Sequence, residues 1–374
     1  MKRPEVIYIV DTLGIHSGMH YYSEALVDTL GRELPIKVLS NYSTDLSRPF
    51  FSNFYGRNKL SGALLMLLGW MKLLLKVLGN RNEIFIVMSY GEWVNLPFLR
   101  VVSFSRRCVV DIHEVVAQAS ENNKRLRKAY GRLYSRKIKN VIIHSSRSSS
   151  MLDELGYAGN RLFVPHFRYC FGKTYDDARL GEDVRNAFVP SLTNILFFGN
   201  MTVNKGVDIL IEAADSLPGP VREKVHFVIS GKPNDYDPRQ NDIRHPELFS
   251  IVARHINDDE LVFLYSGADY VVLPYRKTSQ SGILEMAVYF RKPVIASRID
   301  YFRHVLTDFP SFGRLTGLSA QELGATLAEA PGWDRTVFFT QPDMDRYIHK
   351  EEMTAFREAF LSCVEWDTET FRRP

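Results

Sequence analysis

Short runs of β-branched and aliphatic residues alternate with longer amphipathic stretches along almost the whole of this chain. Nine of the runs read as strands: Val6–Val10, Lys37–Ser40, Ile84–Met88, Val109–Ile112, Val141–His144, Asn194–Phe198, Val225–Ser230, Tyr270–Leu273 and Val294–Ser297. Most are apolar at every position rather than at every second one, as expected of strands covered on both faces. Helix-length stretches between them supply the crossovers that parallel strands require. From about Pro165 to Thr193 the periodicity lapses and Gly, Pro and charged residues accumulate, after which the series restarts. A chain of 374 residues exceeds one ordinary core. The expected fold class is therefore α/β, with two doubly wound, Rossmann-like domains in tandem. Expected boundaries are 1–168 for the first domain, 169–190 for a linker and 191–343 for the second domain. The last stretch, 344–374, reads as helix with Tyr347, Phe356, Phe360 and Trp366 scattered through it.

Composition excludes several classes. With 45% hydrophobic and 24% charged residues the chain is neither disordered nor fibrous. Cys108, Cys170 and Cys363 are far apart and have no Cys-x-x-Cys spacing, which argues against a disulfide framework or a zinc site and makes a reducing, cytoplasmic setting the expectation. The apolar run after Lys2 and Arg3 is too short for a secretory h-region and suits a first strand. The net charge of +4 hides an asymmetry: residues 1–180 carry 26 Lys+Arg against 15 Asp+Glu, and the remainder 21 against 28. A basic first half suits an anionic partner. Lys124–Lys139 is basic too, but its helical spacing matches no nucleic-acid module, so no nucleic-acid partner is expected.

Leu60–Leu78 leaves two readings open. Its uninterrupted apolar part falls short of the roughly 20 residues a bilayer span requires, and Lys72 and Lys76 break it. It is either a buried helix of the first domain or an in-plane helix with Trp70 and basic flanks at lipid headgroups. The second reading would make the protein peripheral on the inner face of a membrane.

Two segments carry the chemistry. From Ile195 to Ala213, an apolar run breaks at Gly199, crosses a polar loop through Asn200 to Lys205-Gly206, and resumes at helical spacing with Val207, Leu210 and Ile211. Strand, loop and helix of this kind bring a phosphate against backbone N–H groups, and Lys205 adds a cation at the loop's end. From Val271 to Ser297, a buried strand ends at Pro274, a loop carries Arg276 and Lys277, and a helix opens near Ser281-Gly282. The glycine admits an anion close to the first N–H groups, where the helix dipole favours it.

In this order the two segments resemble the donor-binding loops of family 4 glycosyltransferases of the GT-B fold. Those loops read Phe-x-Gly-Arg-Leu-x-x-x-Lys-Gly and, in some variants, Leu-Pro-Tyr-x-x-x-x-Gln-Ser-Gly. The resemblance implies two Rossmann-like domains facing a cleft, with the final helix crossing back to the first. It also implies transfer of a sugar from a nucleoside diphosphate sugar, with retention of configuration and without a metal or other cofactor. The expected acceptor is a glycan or a lipid-linked hydroxyl in polysaccharide or glycoconjugate biosynthesis. Lys205, the Ser281–Gly282 amides and Asn200 would then bind the donor diphosphate.

The chain departs from this pattern in two places. Asn200 stands where the family has an arginine, a loss of about 1.5–3 kcal/mol of charge-assisted bonding. Arg276 is the candidate replacement. The family also has two glutamates eight positions apart. Here Lys277 stands eight before Glu285, and aligning on Ser-Gly and Lys-Pro puts Met286 at the second position, with Glu285 one residue early. One residue is about 100° of helix, so Glu285 is a donor-site and catalytic candidate whose reach the sequence leaves open.

In the first domain, Val109-Val-Asp-Ile-His113-Glu114 puts a histidine at the carboxyl edge of a strand, where open α/β sheets bind ligands. By the resemblance, His113 faces the donor sugar, with Asp111 and Glu114 orienting it or meeting acceptor hydroxyls. The loop after the first strand matches the family's glycine loop, with Gly18 the close-approach residue and His16, His20, Tyr21 and Tyr22 on the acceptor side. His166, after Pro165, suits a hinge. Asp235-Tyr-Asp237 matches a metal motif of a different glycosyltransferase fold but lies in a Pro/Asn/Asp-rich loop, and no metal is expected. The second reading is a catalytically weak glycosyltransferase-like subunit that binds or scaffolds.

Overall fold

Each of the nine runs forms a strand in the computed structural model, which describes residues 4–14, 19–54, 58–117, 120, 122–164, 172, 174–240, 243–347 and 350–365. By contacts the chain divides into two units. The first joins Met1–Phe167 to His349–Pro374, and the second is Arg168–Ile348.

The first unit contains β1 (Ile7–Val10), α1 (Met19–Leu30), β2 (Ile36–Leu39), α2 (Lys59–Gly79), β3 (Ile84–Ser89) and α3 (Leu96–Val102). It continues with β4 (Arg107–Ile112), α4 (Lys124–Lys137), β5 (Asn140–Ile143), α5 (Ser146–Glu154) and β6 (Asn160–Phe163). The second contains α6 (Glu182–Arg185), β7 (Thr193–Phe198), α7 (Val207–Asp215), α8 (Gly219–Arg222), β8 (Val225–Gly231), β9 (Phe249–Ala253) and α9 (Asp258–Gly267). After these come β10 (Tyr270–Leu273), α10 (Gly282–Tyr289), β11 (Val294–Ser297), α11 (Asp300–Asp308), β12 (Gly313–Thr316), α12 (Ala320–Glu329) and α13 (Gln341–Tyr347). The chain then returns to the first unit as α14 (Lys350–Cys363), which packs against α1 and β6.

Each unit is one six-stranded sheet in which every pairing is parallel. Strand order is β2-β1-β3-β4-β5-β6 in the first and β12-β11-β10-β7-β8-β9 in the second. Counted from its own first strand, the second order is 3-2-1-4-5-6, the dinucleotide-fold arrangement, and the first begins 2-1-3-4-5. The order reverses between β1 and β3 in one unit and between β7 and β10 in the other, so ligand sites are expected beyond the carboxyl ends of those strands.

Side-chain alternation assigns the helices of the first unit to faces. Tyr8, Val10, Phe85, Val87, Val110, Ile112, Val141 and Ile143 share one core with Leu73 and Val77 of α2, Phe98 of α3, Leu126 and Tyr130 of α4, and Leu152 of α5. Burying each such side chain contributes about 1.5–3 kcal/mol before entropy is counted. Residues of the opposite parity turn to the other face, where Tyr22 of α1 reaches Asp111 of β4.

Of the two readings of Leu60–Leu78, the buried helix holds for one side of α2 only: Leu73 and Val77 enter the core, and the opposite side is exposed. Only Gly69, Leu73 and Val77 are buried along it. Leu60, Leu64, Leu67, Met71, Leu75 and Leu78 recur at intervals of three and four and are exposed.

Candidate functional site

Both phosphate-type segments of the second unit open at its switch point, one after β7 and one after β10. Fully buried strands bring them there, and glycines let them meet. Gly206 has φ +70°, and a Cβ on it would lie 2.0 Å from the carbonyl oxygen of Pro274. Only glycine lets the first loop pass so close to the backbone of the second. At Gly231, φ is +140°, and a Cβ would lie 2.0 Å from the Gly199 oxygen, so the ends of β7 and β8 are equally close.

Polar contacts lock the two loops together. The Arg276 amide donates to the Asn204 carbonyl at 2.8 Å, and the Asn204 side chain donates to the Lys277 carbonyl at 3.0 Å. Arg276 grips Asp208 of α7 with Nη1 at 2.9 Å and Nη2 at 2.6 Å, and also donates to the Val203 carbonyl. Thr202 caps the turn by accepting from the Lys205 amide at 3.2 Å. The carboxylate of Asp235 accepts from the Val203 amide at 2.9 Å, and Asp237 pairs with Arg239. The Asp-x-Asp of the sequence thus braces this loop and its own turn.

Inside the brace sits Lys205. Its ammonium lies 2.9 Å from where a Gly199 Cβ would be, and 5.6 Å from the centre of the Tyr275 ring. Ile283 of α10 packs onto the same glycine. Among the described residues no carboxylate or hydrogen-bond acceptor is paired with the ammonium, and burial pushes its pKa down to about 8. Lys205 is half-buried, and a cation partly withdrawn from water without a counter-charge favours an arriving anion.

Beside it α10 begins. Ser281, itself buried, caps the helix by accepting from the Leu284 amide at 3.2 Å, and Gly282 is the first helical residue. Glu285 lies in the first turn and is buried, and the Tyr347 hydroxyl donates to its Oε2 at 2.5 Å. Met286 is buried as well. Asn200 is exposed on the first loop. Lys205, Asn200, Ser281, Gly282 and Arg276 therefore share one loop cluster, with Arg276 turned onto Asp208 and Glu285 held by Tyr347.

The first unit carries a second cluster, on the α1 face of its sheet. His144, at the end of β5, meets acceptors with both ring nitrogens: the Val164 carbonyl at 3.0 Å from Nδ1 and Asp111 Oδ1 at 2.9 Å from Nε2. Tyr22 donates its hydroxyl to Asp111 Oδ2 at 2.8 Å, and its oxygen lies 3.0 Å from His144 Nε2. Burial alone would raise the Asp111 pKa, but the His144 hydrogen bond and the nearby imidazoles outweigh it and hold the carboxyl below its ordinary value.

His113 stands beside this pair, with Nε2 3.8 Å from Asp111 Oδ1, Tyr22 edge-on at 4.3 Å and Tyr90 stacked at 5.5 Å. Burial pushes its imidazole down to about 4, and the Asp111 carboxylate offsets only part of that. At neutral pH His113 is thus a neutral ring. Asp111, His113 and His144 offer ligand atoms within 4.8 Å of one another, a set that could hold a cation by residue type. Both Asp111 oxygens and both His144 nitrogens are already engaged in hydrogen bonds, whereas His113 Nε2 is buried without one.

Asp11 lies at the switch point of this unit and accepts from the Gly14 amide at 2.8 Å, the Ser23 hydroxyl at 3.1 Å and the Tyr90 hydroxyl at 3.2 Å. His20 and Tyr21, at the start of α1, are half-buried with ring centres 3.8 Å apart, and His20 also meets the Tyr42 ring edge-on. Glu114 is half-buried, and its amide donates to the Ser89 carbonyl at 3.1 Å. His16, Gly18 and His166 lie outside the described residues. The sequence reading missed His144, Asp208, Tyr347 and the Asp11–Tyr90 pair. His144 was within reach, because it ends a strand as His113 does. Tyr347 was not, since nothing in the sequence ties it to Glu285.

Two six-stranded parallel sheets with these loops define the class: this is the GT-B architecture. Residues 193–328 match the model of the family described as glycosyl transferases group 1, so the second unit carries a domain of that family and the chain is a glycosyltransferase of GT-B type. Sucrose-phosphate synthase from Thermosynechococcus elongatus superposes with TM-score 0.63 at 16% identity, over 95% of this chain and 96% of that one. Anabaena Alr3699/HepE in complex with UDP-glucose gives 0.65 at 14% identity, over 96% and 99%. WaaG, a glycosyltransferase involved in lipopolysaccharide biosynthesis, gives 0.65 at 13%, also over 96% and 99%. Among curated proteins, none matches this sequence.

Proposed function

We propose that this glycosyltransferase moves a sugar from a nucleoside diphosphate sugar to a hydroxyl of a glycan or lipid-linked acceptor, retains the anomeric configuration and needs no metal. One observation carries the reading. Lys205 presents a half-buried ammonium with no counter-charge among the described residues, among the loops at the switch point and next to the helix start at Ser281–Gly282. That arrangement suits a diphosphate leaving group, whose growing negative charge a fixed cation and helix amides stabilise without a divalent ion. With no nucleophile assigned, the leaving phosphate is the base that takes the acceptor proton on the same face of the sugar. His113, a neutral ring, is assigned to the sugar by the resemblance, and as an uncharged hydrogen-bonding group it suits a hydroxyl.

Similarity to a structure containing UDP-glucose makes UDP-sugars the first donors to test. Thermal shift with UDP, GDP and ADP identifies the base, because a ligand at a hundred times its Kd adds about 2.7 kcal/mol of stability. Transfer is then measured with and without EDTA. Turnover lost in EDTA and restored by magnesium or manganese overturns metal independence, and no shift with any nucleoside diphosphate overturns the donor site.

A second reading, a subunit that binds donor but transfers weakly, is favoured by two observations: Asn200 in place of the family's arginine, and Arg276 engaged with Asp208. Single-turnover transfer with saturating donor separates the two readings.

A further inference from the structure

The exposed face of α2 has no role in donor binding, yet it carries seven of the ten exposed large hydrophobic side chains among the described residues of the first unit. Of the helix's 21 residues only Gly69, Leu73 and Val77 are buried. Leu60 is 87% exposed and Leu75 68%, with Leu64, Leu67, Leu68, Met71 and Leu78 completing one continuous stripe. Single exposed leucines are ordinary on a protein surface; a stripe running the length of a helix is not.

The opposite side of α2 is committed to the protein. Leu73 and Val77 enter the core, a Cβ on Gly69 would lie 3.2 Å from the Phe51 ring, and Trp70 Nε1 donates to the Pro97 carbonyl at 3.2 Å. A helix crossing a bilayer would have to abandon those contacts. One lying in the plane of its surface keeps them and gives the stripe an apolar medium.

Charge decides between a membrane and other occupants. Lys72 is exposed beside the stripe. On the same face of the sheet, α4 reads Lys-Arg-Leu-Arg-Lys-Ala-Tyr-Gly-Arg-Leu-Tyr-Ser-Arg-Lys, with no acidic residue. Its Lys124, Arg125, Lys128, Arg132, Arg136 and Lys137 are exposed. Pairing two copies through this face would bring these cations together, whereas an anionic leaflet complements them at about 1 kcal/mol for each basic residue near the surface.

We infer that α2 lies in the plane of an anionic bilayer, with its leucine stripe at the level of the upper acyl chains and the basic residues of α4 among the headgroups. The surface would present a lipid-linked acceptor to the enzyme, and in that respect the inference rests on the proposed function. Vesicle binding is nevertheless read without any donor or acceptor, so either idea can fail alone.

The test is co-sedimentation of the full chain with phosphatidylcholine vesicles and with vesicles that also contain phosphatidylglycerol, at low and high salt. Expected is binding to the anionic vesicles that weakens with salt. The triple variant Leu64→Glu, Leu68→Glu and Leu75→Glu changes only exposed positions; it should keep its near-UV circular dichroism and lose at least about tenfold in binding. Lys128→Glu with Arg132→Glu should weaken binding to anionic vesicles and flatten its salt dependence. Failure of the wild type to bind anionic vesicles at low salt overturns the inference, as does full binding by the folded leucine variant. A wild type that ignores vesicles but dimerises, with the leucine variant monomeric, assigns the stripe to a second copy instead. Should the triple variant not fold, Leu60→Gln with Leu75→Gln carries the same comparison.

Discussion

Arg276 and Asp208 join the two donor-type loops of the second unit through a forked ion pair, with nitrogen–oxygen distances of 2.9 and 2.6 Å. The guanidinium that the sequence offers as a stand-in for the arginine missing at position 200 is here a tie between loops. It holds the turn that carries Lys205 against the backbone that carries Tyr275. Because the pair is partly exposed, it contributes at most about 1 kcal/mol to folding. Its value lies in where it holds Lys205.

That distinction is testable by comparing the two partners. If Arg276 acts as a tie, Arg276→Ala and Asp208→Ala weaken nucleoside diphosphate binding to a similar degree, by roughly threefold to tenfold, with little change in Tm. Isothermal titration calorimetry on both variants decides it. If Arg276 itself binds phosphate, Asp208→Ala frees the guanidinium and affinity holds or rises, and Asn200→Arg partly rescues Arg276→Ala.

Lys205 gives the site a pH signature. Its folded-state pKa of about 8 lies below that of an ordinary lysine, so in the free enzyme the charge is lost as pH rises past that value. A bound diphosphate favours the charged form. Affinity is therefore flat below about pH 8 and falls above it. Lys205→Arg, which keeps its charge, should remove the fall, and Lys205→Ala should slow transfer by about tenfold or more. Titrations from pH 6.5 to 9.5 measure the first effect, and saturating-donor turnover the second.

Gly206 can be challenged directly. Its left-handed φ and the 2.0 Å approach of a Cβ to the Pro274 oxygen mean that Gly206→Ala must displace one loop. The expected cost is about 1–3 kcal/mol, with a matching loss of nucleotide affinity. Urea denaturation reads the first, and an unchanged midpoint contradicts the interlock.

His113 makes the first unit sensitive to acid. An imidazole held down to about 4 by burial binds no proton in the folded state between there and its unfolded value near 6.5, while the unfolded chain does. Its contribution is complete above about pH 6.5 and is lost as pH falls toward 4. His113→Gln should make stability less steep across that window. Asp111→Asn is a separate test: it takes away one of the two carboxylate oxygens that pair with His144 Nε2 and the Tyr22 hydroxyl, and should cost about 1–3 kcal/mol by leaving a buried polar group poorly paired.

Much of this architecture was legible because its central strands are buried on both faces and so read as unbroken apolar runs. β6, β9 and β12 escaped for the same reason inverted. All three lie at sheet edges, and Asn160-Arg-Leu-Phe and Gly-Arg-Leu-Thr are as polar as the solvent they partly face. Lys205 and the Ser281–Gly282 start were readable from local pattern, since strand, loop and helix are contiguous in the chain. Asp208 with Arg276, Glu285 with Tyr347, and Asp111 with His144 and Tyr22 were not. Each joins residues whose meeting depends on strand order, which single-sequence periodicity does not encode. The stripe on α2 was visible as hydrophobicity, but its direction depended on which residues the core had already claimed.

The return of the chain as α14 has a consequence for how the molecule is made. Phe360 and Val364 are wholly buried in the first unit, Arg357 Nε donates to the Leu30 carbonyl at 2.6 Å, and Arg107 meets Glu365 at 2.9 Å. The unit that leaves the ribosome first is thus the one finished last, waiting for its closing helix until the second has been synthesised. A chain cut short after α13 would carry the donor loops intact and still leave a greasy, unsealed flank on the half that came before them.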